Sequence, residues 1–160
     1  MSPFVFKGRL YRVESKNQKG CTDPKEERKH SFARIRDVEK DIILSEFAKG
    51  RYFFSAFSDG DRVFVLGTLN NSHDGRMGGD TVKVFESTDL VNWSERVLFK
   101  KEGWIFYNHA VVKTEDGYVI TVEKTNLRKL RARSHLPLFS QGQRIWSAWN
   151  FLISGAHIPR

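Results

Sequence analysis

Residues 55–68 read SAFSDGDRVFVLGT, and this stretch decides the fold class. Apolar and polar residues alternate on both sides of Asp59 and Gly60, which is typical of two half-buried antiparallel strands. Glycine readily adopts the positive φ that a two-residue hairpin turn requires. The stretch therefore predicts a β-hairpin with a tight turn at Gly60.

The same hairpin pattern occurs at 2–15 (SPFVFKGRLYRVES) and at 109–123 (HAVVKTEDGYVITVE). The three turn glycines, Gly8, Gly60 and Gly117, lie 52 and 57 residues apart, which suits a propeller blade better than a solenoid repeat. Further alternating segments at 32–38, 42–47, 81–87 and 95–100 bring each repeat to four strands. We predict an all-β fold: an incomplete β-propeller of about two to three four-stranded antiparallel blades.

The bulk composition is that of a soluble globular chain, with 39% hydrophobic and 29% charged residues. No apolar run approaches the roughly 18 residues that a membrane span needs, and the N-terminus lacks the apolar core of a signal peptide. The one cysteine, Cys21, has no disulfide partner, which suits a reducing compartment. We therefore predict a cytoplasmic protein with no membrane partner.

Basic charge is concentrated in the C-terminal segment. The formal net charge is +8, yet all 19 acidic residues lie at or before Glu123, and residues 124–160 contain seven Lys and Arg. We expect residues 1–123 to form the partial propeller and residues 124–160 to form a basic tail that is irregular or partly helical. Because the excess charge belongs to this tail alone, no nucleic-acid partner is predicted for the chain as a whole.

The basic tail also breaks the repeat, since no further alternating hairpin follows. With synonymous codons chosen freely, a neighbouring reading frame encodes IFARAKDLVSMEFL, which parallels VFESTDLVNWSERVL at 84–98. One hypothesis is therefore an out-of-frame or disordered tail. The alternative is a genuine basic extension whose Trp146 and Trp149 help it to bind nucleic acid or an anionic membrane surface.

The segment VFESTDLVNWSERVL carries the most specific motif of the chain. Ser87 and Asp89 are suited to start a turn by bonding the backbone, Leu90 packs beneath it, and Trp93 seals the outer edge of the blade. This Ser-x-Asp-Leu-x-x-Trp element resembles one in the five-bladed β-propeller glycoside hydrolases of families 43, 32 and 130. Residues 2–13 resemble the first-blade strand of that group and residues 108–123 the start of its third blade, so the resemblance covers residues 2–123.

The resemblance implies an N-terminal fragment of an enzyme that cleaves glycosidic bonds with paired carboxylates in a central pocket. Glu14 and Glu123 both follow a Val near the end of their hairpins, at what we take to be equivalent places, and are the candidate catalytic residues. The acid that commonly precedes the first strand of that family is absent here. We therefore expect a truncated, glycoside-hydrolase-like propeller that acts on or binds carbohydrate and is inactive in this form.

Four further residues are candidates for binding substrate. Asn108 and His109 open the third hairpin, where propeller strands begin near the central axis. Arg34 and Arg36 alternate along one strand, so they face the same side and are placed to clamp a carboxylate. For the arginines and for both glutamates, the alternative interpretation is a solvated or internally paired side chain.

No metal site or cofactor is predicted. His73 and Asp74 lie in a glycine-rich loop, but the sequence shows no further ligands for a metal there. Two alternatives to an enzyme remain open: a non-catalytic propeller module that binds carbohydrate or protein, and a basic tail that binds nucleic acid or membrane. Unclosed blades also predict self-association through exposed sheet edges.

Overall fold

The computed structural model describes residues 1–17, 30–69, 78–115 and 117–126. The predictions for Cys21, His73 and Asp74 lie outside these residues, as does the prediction for the tail beyond residue 126. Strand β10 runs to Asn126 and so continues three residues into the segment assigned to the basic tail.

Ten β-strands and no helix make up the described residues, which confirms the all-β prediction. The strands pair into three antiparallel sheets, each ordered as the chain runs. The first sheet holds β1 (Ser2–Phe6), β2 (Arg9–Lys16), β3 (Phe32–Asp37) and β4 (Ile42–Phe47). The second holds β5 (Arg51–Asp59), β6 (Arg62–Leu69), β7 (Thr81–Ser87) and β8 (Ser94–Lys100). The third is the hairpin of β9 (Trp104–Thr114) and β10 (Gly117–Asn126).

The predicted tight turns are present in the first two hairpins. Phe6 pairs with Arg9 and Asp59 pairs with Arg62, which leaves two residues in each turn. Gly8 and Gly60 have φ values of 73° and 60°, the left-handed region that glycine adopts at little cost. These glycines therefore fix the register of both hairpins.

The second sheet lies between the other two. One of its faces shares a hydrophobic core with the first sheet, which includes Phe4, Val13, Ile35, Val65 and Phe85. Its other face shares a second core with the third sheet, which includes Phe64, Leu66, Val84, Phe106 and Ile120. Alternation thus sends successive residues of β6 into two different cores, and this explains the unbroken buried run from residue 63 to 68. Each sheet has two faces. The forward face points in the direction that leads from the first sheet to the third, and the backward face points in the opposite direction.

The Ser-x-Asp-Leu-x-x-Trp turn forms as the sequence predicts. Ser87 Oγ accepts hydrogen bonds from the backbone N–H of Asp89 (3.2 Å) and Leu90 (2.9 Å), and Asp89 Oδ1 accepts from Val91 and Asn92 (2.8 Å each). These bonds to the charged form hold the pKa of Asp89 well below its usual range. Leu90 is buried beneath the turn.

Trp93 joins two sheets. Its indole stacks on Phe47 of β4 with ring centroids 4.1 Å apart, and Nε1 donates to Ser45 Oγ at 3.1 Å. Ser45 Oγ in turn donates to the carbonyl oxygen of Leu90 at 2.7 Å. The motif therefore seals the outer edge of the second sheet by attaching it to the outer strand of the first.

The described residues offer neither a membrane-spanning helix nor a cluster of metal ligands. No helix there has the length and apolar character to cross a bilayer. No three His, Cys, Asp or Glu side chains within the described ranges gather closely enough to hold a metal ion.

Candidate functional site at two strand bulges

Two β-bulges interrupt the first strands of the second and third sheets. In β5, Phe53 and Phe54 together oppose Gly67, because Tyr52 pairs with Thr68 and Ser55 with Leu66. In β9, residues 107 and 108 together oppose residue 123. Bulges bend a strand, re-aim its side chains and are common beside functional sites. We call the residues at and around these two bulges the bulge site.

The β5 bulge places a bulky residue in an unfavourable backbone conformation. Phe53 has φ 56°, in the left-handed region, which typically costs about 1–3 kcal/mol for such a residue. Its neighbour Phe54 turns into the core and covers Gly67, where an added Cβ would lie only 2.6 Å from Phe54 Cε1. The absence of a side chain at Gly67 therefore makes room for the bulge.

The two bulges contact each other. The rings of Phe53 and Tyr107 meet edge to face, with centroids 5.6 Å apart. Beside them, His109 Nε2 lies 2.8 Å from Thr68 Oγ1, so the imidazole links the third sheet to the second. Burial lowers the pKa of His109 to about 4, an effect that the backbone of Phe53 only partly offsets. His109 is therefore a neutral hydrogen-bonding group at pH 7.

Asn108 and Glu123 form a polar pair on the forward face of the third sheet. Asn108 Nδ2 donates to Glu123 Oε2 at 2.9 Å, and Asn108 is exposed. The pair offers an amide oxygen, a second amide hydrogen and a further carboxylate oxygen to a ligand. The structure thus brings together two of the residues that the sequence singled out.

Glu14 lies at the centre of a cationic cluster on the first sheet. Its Oε1 accepts from Arg12 Nε at 2.7 Å and lies 3.4 Å from Arg36 Nε, while its Oε2 lies 3.4 Å from Lys16 Nζ. Burial alone would raise the pKa of Glu14, but Arg12 and Lys16 outweigh it and hold the pKa below its usual range. The side chain is therefore a paired carboxylate at neutral pH and is unsuited to act as a general acid.

Arg34 and Arg36 share one side of the first sheet, as their spacing predicts. Arg34 donates through Nε (2.9 Å) and Nη2 (2.7 Å) to Glu46 Oε1. Arg36 Nη1 donates to Asp41 Oδ1 at 2.9 Å. Both arginines thus hold carboxylates of the chain itself, which corresponds to the internally paired alternative.

Glu14 and Glu123 do not occupy equivalent places, contrary to the interpretation of the sequence. In the first hairpin the glycine lies inside the turn, whereas Gly117 is already the first paired residue of its strand. Counted from the first pair after the turn, Glu14 corresponds to Val122, and Glu123 lies one residue farther. Because neighbouring residues point to opposite faces, Glu14 lies on the backward face of the first sheet and Glu123 on the forward face of the third.

Several residues of the bulge site were not predicted from the sequence. Thr68 looked like an ordinary strand residue. Within the part of the chain that the structure describes, Arg51 and Ser55 each have a buried polar atom without a hydrogen-bond partner. Burial also lowers the pKa of Arg51, against the attraction of Glu95. One signal was available: the consecutive apolar residues of YFF at 52–54 interrupt the alternation that continues from Ser55.

Neither family models nor curated proteins supply a role that can be transferred to these residues. No family model matches the chain, and no curated protein matches it significantly.

Proposed function

We propose that the described residues are the first part of a β-propeller of the glycoside-hydrolase type, and that the chain binds carbohydrate at the bulge site without hydrolysing it. One observation carries this proposal: the first strands of the three sheets contact one another in chain order, β1 with β5 and β5 with β9. Successive sheets that adjoin through their first strands are what propeller blades around a common axis require. Ligand sites of such folds lie where those strands meet.

The chemistry of the bulge site suits a neutral, hydroxyl-rich ligand. Asn108 and Glu123 supply donors and acceptors for sugar hydroxyls, and the nearby Tyr107 supplies an aromatic ring of the kind on which a sugar stacks. His109 is uncharged at pH 7, and the charges of Glu123 and Arg51 are opposite, so the bulge site carries no net charge that would select for an anion.

The positions of the two candidate catalytic residues oppose hydrolysis by this pair. Glycosidases need their two carboxyl groups about 5–9.5 Å apart, on either side of the scissile bond. Glu14 and Glu123 lie on outward faces of different sheets, with the second sheet between them, and packed sheets are spaced about 10 Å apart. Glu14 is in addition paired with Arg12. These two residues therefore cannot act as a catalytic pair within one chain.

The test is a binding measurement combined with a turnover measurement. A panel of neutral β-linked oligosaccharides is examined by saturation-transfer NMR, and matching aryl glycosides are assayed for release of the phenol. We expect binding of at least one oligosaccharide, a loss of that binding in Asn108→Ala and Glu123→Gln, and no phenol release. The matched control is Glu46→Gln, which removes a carboxylate on β4, the outer strand of the first sheet, where it pairs with Arg34.

Two results would contradict the proposal. Binding that is unchanged in both bulge-site variants would show that the sugar binds elsewhere. Absence of binding across the panel would contradict carbohydrate binding itself. Phenol release that is lost in Glu123→Gln would instead establish a hydrolase and overturn only the second half of the proposal.

A further inference from the structure

Each of the three hairpins carries a cross-strand pair at the same distance from its turn. Counted from the turn, the third pair is Phe4–Tyr11 in the first hairpin, Phe57–Phe64 in the second and Val112–Val119 in the third. All three pairs lie on the forward face of their sheets. They are therefore equivalent positions in a repeating stack.

The next sheet covers the first two of these pairs. The rings of Phe4 and Tyr11 stack at 5.7 Å and are both buried in the core that the first two sheets share. Those of Phe57 and Phe64 stack at 5.1 Å, and Tyr118 of the third sheet lies against both, with centroids 5.3 and 6.4 Å away. An apolar pair at this position is thus a docking point for the backward face of a following sheet.

The third pair has no such cover from the residues that the structure describes. Val112 is 63% exposed, and among the described residues only Met1 is a more exposed large apolar side chain. Around it the forward face continues with the exposed Ala110 and Thr121 and ends at Glu123. The third sheet therefore presents the same kind of apolar docking point as the first two, but open.

At the other end of the stack, the described residues leave a matching surface uncovered. In the second and third sheets, the second pair from the turn lies on the backward face. One residue of each pair, Val63 in the second sheet and Tyr118 in the third, packs against the preceding sheet. The equivalent pair of the first sheet is Val5–Leu10, with exposures of 56% and 39%. Beyond it the backward face carries the cationic cluster around Glu14.

We propose that copies of this chain associate head to tail, with the forward face of the third sheet in one copy packed on the backward face of the first sheet in the next. This contact would repeat the packing already seen twice within the chain, with Val112 and Val119 seated against Val5 and Leu10. Charge favours the same match, because the forward face ends in Glu123, whereas on the backward face four cations outnumber the three carboxylates paired with them. The cations are Arg12, Lys16, Arg34 and Arg36, and the carboxylates are Glu14, Asp41 and Glu46. Such a contact is heterologous, so it builds rings or open chains of copies.

Analytical ultracentrifugation over a wide range of protein concentration tests the association. We expect the wild-type chain to form concentration-dependent oligomers larger than dimers. Val112→Glu and Val5→Glu should each raise the dissociation constant by about 100-fold, because each buries an unpaired carboxylate in the contact. Val97→Glu, at an equally exposed valine on β8, is the matched control and should associate as the wild type does.

Mixing the two variants separates a head-to-tail contact from a symmetric one. Val112→Glu retains an intact first sheet, and Val5→Glu retains an intact third sheet. An equimolar mixture of these two chains should therefore form one-to-one dimers that grow no further, although each variant alone is monomeric. Circular dichroism and melting curves establish that both variants fold.

Each contrary outcome overturns the proposal. A wild-type chain that stays monomeric at all concentrations would mean that something other than a second copy, such as its own C-terminal segment, covers these faces. Oligomers that persist in both variants would place the contact elsewhere. A mixture that stays monomeric would indicate a symmetric contact. Glu123 belongs both to the bulge site and to this contact, but Val5→Glu and Val112→Glu leave it unchanged and neither result requires a ligand. The outcome is therefore independent of carbohydrate binding.

Discussion

The substitution Gly67→Ala tests the central packing claim about the bulge site. The new Cβ would lie 2.6 Å from Cε1 and 2.9 Å from Cδ1 of Phe54, and 3.5 Å from Arg51 Cβ. Carbon atoms in contact prefer about 3.5–4.0 Å, so the ring has to move by roughly 1 Å. Phe54 is only 6% exposed and packs in the core between the first and second sheets, which leaves little room for that movement.

We expect Gly67→Ala to lower the free energy of unfolding by about 1–3 kcal/mol, the usual cost of overpacking a core. Equilibrium urea denaturation, followed by tryptophan fluorescence at low protein concentration, measures the change. A double-mutant cycle with Phe54→Leu then identifies the cause. The smaller side chain relieves the clash, so Gly67→Ala should cost at least about 1 kcal/mol less in the Phe54→Leu background.

Two results would refute this reasoning. A change of less than about 0.5 kcal/mol in the wild-type background would mean that the ring moves freely and that the bulge does not need a glycine. An equal cost in both backgrounds would assign the effect to the backbone at residue 67 and leave Phe54 without a role in it.

Three further predictions concern single contacts. In the wild type, the unfolded imidazole of His109 takes up a proton between about pH 6.5 and 4 and the folded one does not. The free energy of unfolding should therefore fall by up to about 3 kcal/mol across that range, as measured by urea denaturation at stepped pH. His109→Gln should remove this pH dependence. In spectrophotometric titration, Tyr118 should ionise with a pKa of about 12. Asp59→Asn should lower that pKa, although burial keeps it above 10.0. An unchanged pKa would show that Asp59 does not act on the phenol. Ser45→Ala should lower the free energy of unfolding by about 1–2 kcal/mol, since it removes the partner of Trp93 Nε1, and a neutral result would contradict that role.

The loss of stability that His109 causes at acid pH can be distinguished from the loss that the carboxylates cause. Glu14 and Asp59 have pKa values below those of the unfolded chain, so the stability that they contribute is lost as the pH falls below about 4.5. His109 has a folded pKa below its unfolded value of 6.5, so its contribution falls away between pH 6.5 and its folded value near 4. A difference between wild type and His109→Gln that is confined to pH below 4.5 would therefore assign the effect to the carboxylates and contradict the role given to the histidine.

Most of the strand pattern was predictable because local rules determine it. Alternation and turn residues placed the strands at 42–47 and 81–87 as the structure has them, and β3 within one residue. The turn at Ser87 and Asp89 formed as expected, since its hydrogen bonds join residues no more than three apart. Local chemistry therefore accounts for the elements and for the sheets that consecutive hairpins build.

The bulge site was only partly predictable because it depends on contacts between distant parts of the chain. Phe53 is held in a left-handed conformation beside Tyr107, which lies more than fifty residues away. The pairing of His109 with Thr68 spans two sheets in the same way. The alternation of apolar and polar residues does not encode such contacts. It shows only that the pattern is interrupted at 52–54.

The misplaced equivalence of Glu14 and Glu123 has a specific physical cause. Both residues follow a valine in a strand that alternates normally, and alternation looks the same whether a strand begins one residue earlier or later. Only the turn distinguishes the two cases, because Gly8 is a turn residue and Gly117 is a strand residue. That single step sends Glu14 to the backward face of the first sheet, where Arg12 pairs with it, and Glu123 to the forward face of the third, where Asn108 donates a hydrogen bond to it. The position of one glycine relative to its turn therefore decides whether each carboxylate is structural or available to a ligand.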